Sequence, residues 1–245
     1  MSSKFIAVWG NKNSGKTTFA VNLACVLAKR GYLTGVISSN LSYGELQVFY
    51  RQIVPMEKGL FRALEENNPN IGEKFVEYEA CKNVFFLSVP THYTGLLCDC
   101  ITLSHAERML MDASLVFDIL ILDGAGAINN PVSDTGLWLS ERIYTIHKPS
   151  ISAQLWYKGM EDFQKELRIT EKQTHILLEP DGAFDSRAFR AGMDLSFSYE
   201  LPFVKRAPEL ENAGRPICLE AAGACRRYTK VLANVANEIC GGTKK

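Results

Sequence analysis

Residues 4–18, Lys-Phe-Ile-Ala-Val-Trp-Gly-Asn-Lys-Asn-Ser-Gly-Lys-Thr-Thr, constrain the fold more than any other stretch of the chain. A short apolar run, Phe5 to Trp9, breaks at Gly10, and a helical pattern begins after Lys16. The stretch therefore reads as strand, glycine-bounded loop and helix start. Gly10, Gly15, Lys16 and Thr17 match GxxxxGK[ST], the spacing in which loop N–H groups and a helix N-terminus face phosphates. In that geometry Lys16 reaches the β and γ phosphates of a nucleotide and Thr17 ligates Mg²⁺. The alternative is an ordinary strand-to-helix turn with a solvated lysine. Four fixed positions, with a strand before and a helix after, weigh against it.

The rest of the chain repeats the strand-then-helix alternation. Phe19, Leu23, Val26 and Leu27 recur at helical spacing, and Arg30-Gly31 supplies a basic last turn and a stop, so the spacing predicts a helix from about Thr17 to Arg30. Leu33–Ile37 is a second apolar strand, followed by the small polar residues Ser38, Ser39 and Asn40 that suit a ligand-facing edge. Residues 45–66 read as two helical pieces parted near Pro55, because proline disfavours helical backbone in the residue before it. Val84–Val89 has the unbroken apolar character of a central parallel strand. Ser104-His105-Ala106-Glu107 has capping-box spacing and predicts a helix start there, running to about Leu115. Phe117–Leu122 is another strand, halting at Asp123, where a carboxylate suits Mg²⁺ or its water shell. Apolar runs at 143–146, 174–178 and 197–201 and a final helix near 221–240 complete the series. The expected class is α/β, a mostly parallel central sheet with helices on both faces.

With 245 residues and 47% hydrophobic content the chain can bury a sizeable core, and no repeat or linker divides it, so residues 1–245 are expected to form one domain. Lys plus Arg and Asp plus Glu are both 27, which gives composition no general attraction to nucleic acid or anionic membrane. DNA contact through a local basic patch stays open: Lys205-Arg206 and Arg226-Arg227 are the short basic pairs that would make it, and solvated faces explain them equally well. No apolar run approaches 18 residues and no charged leader opens the chain, so a soluble, cytoplasmic protein is expected. Seven cysteines, an odd number, do not resemble a secreted disulfide framework.

Taken in order, Gly10 to Thr18, the strand ending near Asn40, Phe117–Asp123, Leu201-Pro202 and Ala213-Gly214-Arg215-Pro216 resemble the ParA/MinD family of P-loop ATPases. The likeness spans nearly the whole chain and implies P-loop NTPase architecture with ATP and Mg²⁺ as cofactors. It also implies a nucleotide-dependent homodimer with two ATP molecules between the subunits, used as a switch that positions or recruits a protein partner. By this resemblance Gly10, Asn11, Lys12, Asn13, Ser14, Gly15, Lys16, Thr17 and Thr18 hold the phosphates, Thr17 and Asp123 serve Mg²⁺, and Pro202 lies near the adenine. Lys16, Asn40 and Asp123 stand at the catalytic positions, and Lys12 is the candidate for a contact across the dimer.

Three departures bear on turnover. The family loop reads KGGxGKT, and its first lysine crosses the dimer to the partner's phosphates; here that place holds Asn11, with Lys12 one residue later. Either the loop shifts so that Lys12 reaches across, or the transition state loses a cation that matters by orders of magnitude in related phosphoryl transfer. Lys12 and Asn13 also replace glycines, and asparagine tolerates positive φ better than lysine. Two family aspartates at the end of strand two align with Ser38 and Asn40, neither of which readily accepts a proton. Water positioning through Asn40 and a plain polar turn are both open there. The family's base-contacting asparagine is replaced within Ile176-Leu177-Leu178-Glu179-Pro180. Slow hydrolysis follows as the expectation.

Within the family, the changed loop and the short Gly-Gly tail, which offers no basic amphipathic membrane helix, lean towards a localisation factor for pilus or secretion machinery similar to the TadZ/CpaE group. Those relatives often carry an extra receiver-like domain that is not in this chain. One rival reading is a DNA-partition or division-site ATPase with ordinary turnover. Another is a metallochaperone-type ATPase: Cys98 and Cys100, doubled across a dimer, would offer four thiolates to a second metal. Packing cysteines explain the same pair. Cys218, Cys225 and Cys240 lack a tight spacing and read as packing residues, and most of His92, His105, His147 and His175 read as surface or helix-end histidines.

Overall fold

In the computed structural model, which describes residues 3–65, 70–92, 101–179 and 186–241, the apolar runs become strands. They are β1 (Lys4–Trp9), β2 (Thr34–Ser38), β3 (Val76–Glu77), β4 (Val84–Leu87), β5 (Ile119–Asp123), β6 (Arg142–His147), β7 (Gln173–Leu178) and β8 (Tyr199–Leu201). They form one eight-stranded sheet in the order β3-β4-β2-β5-β1-β6-β7-β8. Every pairing is parallel except that of the short edge strand β3 with β4. Mostly parallel pairing follows from the helices between the strands, since a parallel return needs a long crossover.

Ten α-helices lie among the described residues: α1 (Lys16–Ala28), α2 (Glu45–Tyr50), α3 (Leu60–Leu64), α4 (Leu103–Val116), α5 (Pro131–Leu139), α6 (Ile151–Gly159), α7 (Glu161–Glu166), α8 (Ser186–Met193), α9 (Ala207–Asn212) and α10 (Gly223–Ile239). The two-residue period of a strand divides each continuous apolar run between the sheet's faces. Ile6 and Val8 of β1, with Ile119 and Ile121 of β5, join the core under α1 and α10. Phe5, Ala7 and Trp9, with Leu120 and Leu122, join the core that contains Ala106, Met109 and Leu110 of α4 and Val132 and Leu137 of α5. Helix α1 is buried on nearly every side, whereas α10 buries the stripe Tyr228, Leu232, Val235, Ala236 and Ile239 and leaves Arg226 and Arg227 exposed. Cys218 and Cys225 are buried in the same core and Cys240 packs against it, as packing residues do.

Several boundaries differ from those the sequence predicts, each for a local reason. The first helix stops at Ala28, two residues before Arg30, because the chain tightens into turns where Arg30 and Gly31 donate to the carbonyls of Leu27 and Ala28. Helix α4 begins at Leu103: Thr102 accepts from the His105 N–H, and His105 Nδ1 accepts from the Thr102 N–H. The imidazole thus does what a glutamate does in the usual box, two residues ahead of the Ser104 start. Strands β2 and β5 begin later than predicted and extend one residue further, to Ser38 and Asp123. Asp123 remains in the ladder between Val8 and Ser38, so both neighbouring strands fix its position. The break near Pro55 separates α2 from α3 as the sequence implies. The C-terminal ends of β1, β2, β5, β6, β7 and β8 share one edge of the sheet, where a doubly wound fold binds ligands.

Candidate functional site

The loop between β1 and α1 depends on two glycines and an asparagine. A Cβ on Gly10 would stand 2.6 Å from both the Ile146 carbonyl oxygen and Ser14 Oγ, so no other residue fits that close approach. Asn13 (φ 62°) and Gly15 (φ 89°) turn the chain through left-handed backbone into α1. The asparagine at the second replaced glycine position thus takes the conformation that it tolerates better than lysine. The first turn of α1 has N–H groups without intrahelical partners, and the positive end of the helix dipole adds to them. Ser14 Oγ and Asn11 Oδ1 are buried atoms with no hydrogen-bond partner, beside the half-buried Lys16. Unpaired polar atoms, first-turn N–H groups and a lysine gather around one glycine-shaped loop, an arrangement whose chemistry suits phosphate oxygens.

Opposite the loop, the buried Asp123 accepts a hydrogen bond at Oδ2 from Thr17 Oγ1 at 2.7 Å, while its Oδ1 has no partner. Burial pushes this carboxyl up to about 7; Glu45 pushes the same way, and the Lys16 charge and the Thr17 bond oppose them. A hydroxyl beside a buried carboxylate with one oxygen unsatisfied is the donor set of a hard divalent cation. Thr17 and Asp123 therefore fit Mg²⁺. Ser39 ties the neighbouring strand end to this point, its N–H and hydroxyl both donating to the Asp123 carbonyl at 3.0 and 2.9 Å.

Two cavities flank the loop. One of about 450 Å³ is walled by Phe49, Leu178, Leu201, Pro202, Phe203 and Tyr228, an apolar surface suited to a flat ring, and Pro202 lies there beside Gly15–Thr18. The other, about 650 Å³, is more polar and holds Asn11, Lys12, Ser38, Asn40 and Asp123. Asn13, Lys16 and Glu45 line both. The segment after Asp123 closes the larger cavity and is held by two indoles: Trp9 Nε1 donates to the Ala125 carbonyl at 2.9 Å and Trp156 Nε1 to the Gly126 carbonyl at 2.6 Å.

The structure gathers the sequence-predicted residues 10–18, 38–40, 123 and 202 on this edge. Lys12 is exposed on the rim of the larger cavity, where a lysine can reach outward. Thr18 gives its hydroxyl to Glu211 Oε1. Ser38 is buried, its Oγ accepting from the Asn40 N–H at 3.2 Å. Cys98 and Cys100 lie outside the described residues, and no cluster of three or more metal-ligating side chains occurs among the described ones. His147 and His175 are not scattered surface residues: they meet at 3.1 Å, with His147 fully buried, because neighbouring strands β6 and β7 place them on one face.

Sequence reasoning missed Glu45, Glu211, Lys148 and Trp156, which also line the two cavities. Glu211, Lys148 and Trp156 reach the site from distant parts of the chain, and Glu45 through the turn that follows Asn40. An acidic residue in the first turn of a helix, as Glu45 is, has an ordinary explanation that hides any other.

No protein-family model matches the sequence, and no curated protein matches it significantly. Solved structures do match. MinD from Pyrococcus horikoshii, complexed with Mg-ADP, is 14% identical and superposes with a TM-score of 0.79 over 98% of each chain. A ParA-family ATPase from Chlorobium tepidum is 14% identical, with a TM-score of 0.77 over 96% of this chain and 99% of its own. An aspartate-to-alanine variant of McdA from Cyanothece, in complex with ATP, is 14% identical, with a TM-score of 0.74 over 100% of this chain and 99% of its own. From its first strand to its last helix the chain has the fold of the MinD and ParA-type P-loop ATPases.

Proposed function

We propose that the protein is a MgATP-dependent switch that closes into a homodimer around nucleotide and, in the closed state, recruits or positions a protein partner. One observation carries the reading: Asp123 and Thr17 form an incomplete oxygen cage directly beside the Gly10–Thr18 cradle. Lys16 would meet the β and γ phosphates, the apolar cavity around Pro202 would take the adenine, and Thr17 and Asp123 would hold Mg²⁺. A bound Mg²⁺ supplies positive charge to the phosphate oxygens. The solved structures with this fold include proteins named for cell division and plasmid partition, which supports a positioning role.

Hydrolysis is slow in this reading, because Ser38 and Asn40 carry no carboxylate and Asn11 carries no cation. The partner we favour is surface machinery of the pilus or secretion type, on the resemblance of the changed loop to localisation factors.

Lys16→Ala tests the core of the proposal. Wild-type protein should bind a fluorescent ATP analogue with Mg²⁺ and double its mass in light scattering with ATP, though not with ADP or without nucleotide. The variant should bind at least 100-fold more weakly and stay monomeric. Unchanged binding in the variant, or dimerisation indifferent to ATP, overturns the reading.

A further inference from the structure

We infer that Glu45 supplies the carboxylate that orients and deprotonates the attacking water, a task that neither Ser38 nor Asn40 can perform. The inference rests on the ATP-switch reading and gives it a catalytic group that the end of β2 lacks.

The turn after β2 is built to return Glu45 to the site. Asn40 Oδ1 accepts from the N–H groups of Ser42 and Tyr43 at 3.0 and 3.3 Å, an Asx-type closure that folds the chain back towards the sheet edge. Its Nδ2 donates to Glu45 Oε2 at 3.2 Å. The Asn40 side chain is thus occupied at both ends. It can still fix the position of its neighbour's carboxylate.

Location argues next. A nucleotide with its ring in the apolar cavity and its phosphates on the loop would run its terminal phosphate towards the larger cavity. The residues common to both cavities, Asn13, Lys16 and Glu45, mark that passage. Lysine there is a cation and asparagine a neutral amide, so Glu45 is the one of the three able to take a proton. The other carboxylates nearby are committed: Asp123 to Thr17 in the cation site, Glu211 to Thr18 in the apolar cavity. No described residue donates a hydrogen bond to Glu45 Oε1, which leaves that oxygen for water. Glu45 and Asp123 line the same cavity, which puts the carboxylate beside the cation site.

The chemistry balances without a further reagent. The water oxygen forms a bond to the γ phosphorus, and the bond from that phosphorus to the β–γ bridging oxygen breaks, with its electron pair leaving on ADP. A proton of the water passes to Glu45 and then to solvent. The products are ADP and phosphate. General bases contribute on the order of 10²–10⁴ in rate, so one carboxylate in a site short of cations fits slow turnover.

The test measures phosphate release at saturating MgATP and equilibrium affinity for a non-hydrolysable ATP analogue, with the full chain and with Glu45→Gln, Glu45→Asp and Glu45→Gln/Asn40→Asp. Glu45→Gln keeps the acceptor for Asn40; its kcat should fall at least tenfold, with KM and analogue affinity within twofold of wild type. Glu45→Asp should lie between, and adding Asn40→Asp to Glu45→Gln should restore part of the rate. A kcat for Glu45→Gln within twofold of wild type, or a change confined to KM, overturns the inference. If Glu45→Gln melts early, the Glu45→Asp rate decides: a loss supports the assignment, a wild-type rate ends it. Wild-type protein that binds MgATP and releases no phosphate overturns the role of Glu45 while the switch reading stands; failure to bind MgATP sinks both.

Discussion

Thr17 Oγ1 donates to Asp123 Oδ2 over 2.7 Å and thereby joins the first turn of α1 to the end of β5 across 106 positions of sequence. The bond lies at the centre of the sheet, because β5 runs beside β1 and hands its last residue to the loop that β1 begins. The protein's own hydrogen bond thus holds in register the two loops that a cation would bridge.

The pair yields the first prediction. Thr17→Ala removes the donor and, in the proposed site, one cation ligand; Asp123→Asn keeps a hydrogen-bond acceptor and removes the charge. Both should weaken ATP affinity at least tenfold with Mg²⁺ present and leave it nearly unchanged in EDTA. Thr17→Ala should also lower stability by about 1–3 kcal/mol, since it leaves a buried carboxyl without its partner. Equal affinity loss with and without Mg²⁺ would remove the pair from the cation site. Isothermal titration in both buffers decides it.

How much of this was legible beforehand depended on how far apart the cooperating residues are. The strand, loop and helix around Gly10–Thr17 are local, so spacing alone revealed them. Asp123 was legible as well, because a carboxylate ending an apolar run is a local signal. The bond between Thr17 and Asp123 was not, for it depends on β5 inserting between β2 and β1. The pairing of His147 with His175 was hidden in the same way by strand neighbourhood, and Glu45 by a turn whose path Asn40 sets. Thr102 escaped as a cap because a histidine stands where a glutamate is expected.

Gly126 offers a second prediction. A Cβ there would stand 2.5 Å from the Gly10 carbonyl oxygen and 3.2 Å from Asn11 Cα, so the segment after Asp123 and the phosphate loop touch backbone to backbone. Gly126→Ala must push one of them away. Nucleotide affinity should fall about tenfold or more, while the melting temperature moves by only a few degrees, because the clash lies in loops and not in the core. Gly159→Ala, whose Cβ would meet nothing within 4 Å, serves as the neutral control. Unaltered affinity in Gly126→Ala would show that the loops part without consequence.

The histidine pair makes stability depend on pH. His147 Nε2 lies 3.1 Å from His175 Nδ1, and Tyr157 Oη lies 3.5 Å from His175 Nε2. Burial lowers His147 to about 3, with the His175 charge adding to it, and burial lowers His175 to about 4. Unfolded histidines titrate near 6.5. Between those values the unfolded chain binds protons that the folded chain refuses, so this contribution is complete above pH 6.5 and is lost as pH falls towards 4 and 3. The slope is about 1.4 kcal/mol per pH unit for each histidine. Urea midpoints from pH 7.5 to 4.5 should fall below pH 6.5, and His147→Phe should flatten the decline by up to one proton. A variant with the wild-type slope would remove the pair from the acid response.

Trp9 and Trp156 turn the same loop into its own reporter. Their indole N–H groups hold the Ala125 and Gly126 carbonyls, and the rings meet edge to face at 4.7 Å. Nucleotide and Mg²⁺ acting on Asp123 would pull on the residues that follow it directly, and so on both indoles. Trp138, about half exposed on α5, is the third tryptophan and would add background. In a Trp138→Phe protein, MgATP should therefore change tryptophan emission, and adding Trp156→Phe should leave a smaller change, carried by Trp9. Trp156→Phe should also cost about 1 kcal/mol for the lost hydrogen bond, with a further loss from packing against Trp9. Emission of the Trp138→Phe protein that ignores saturating MgATP would mean that nucleotide binding leaves the Ala125 and Gly126 carbonyls where they are, and the loop would then be a fixed wall of the site.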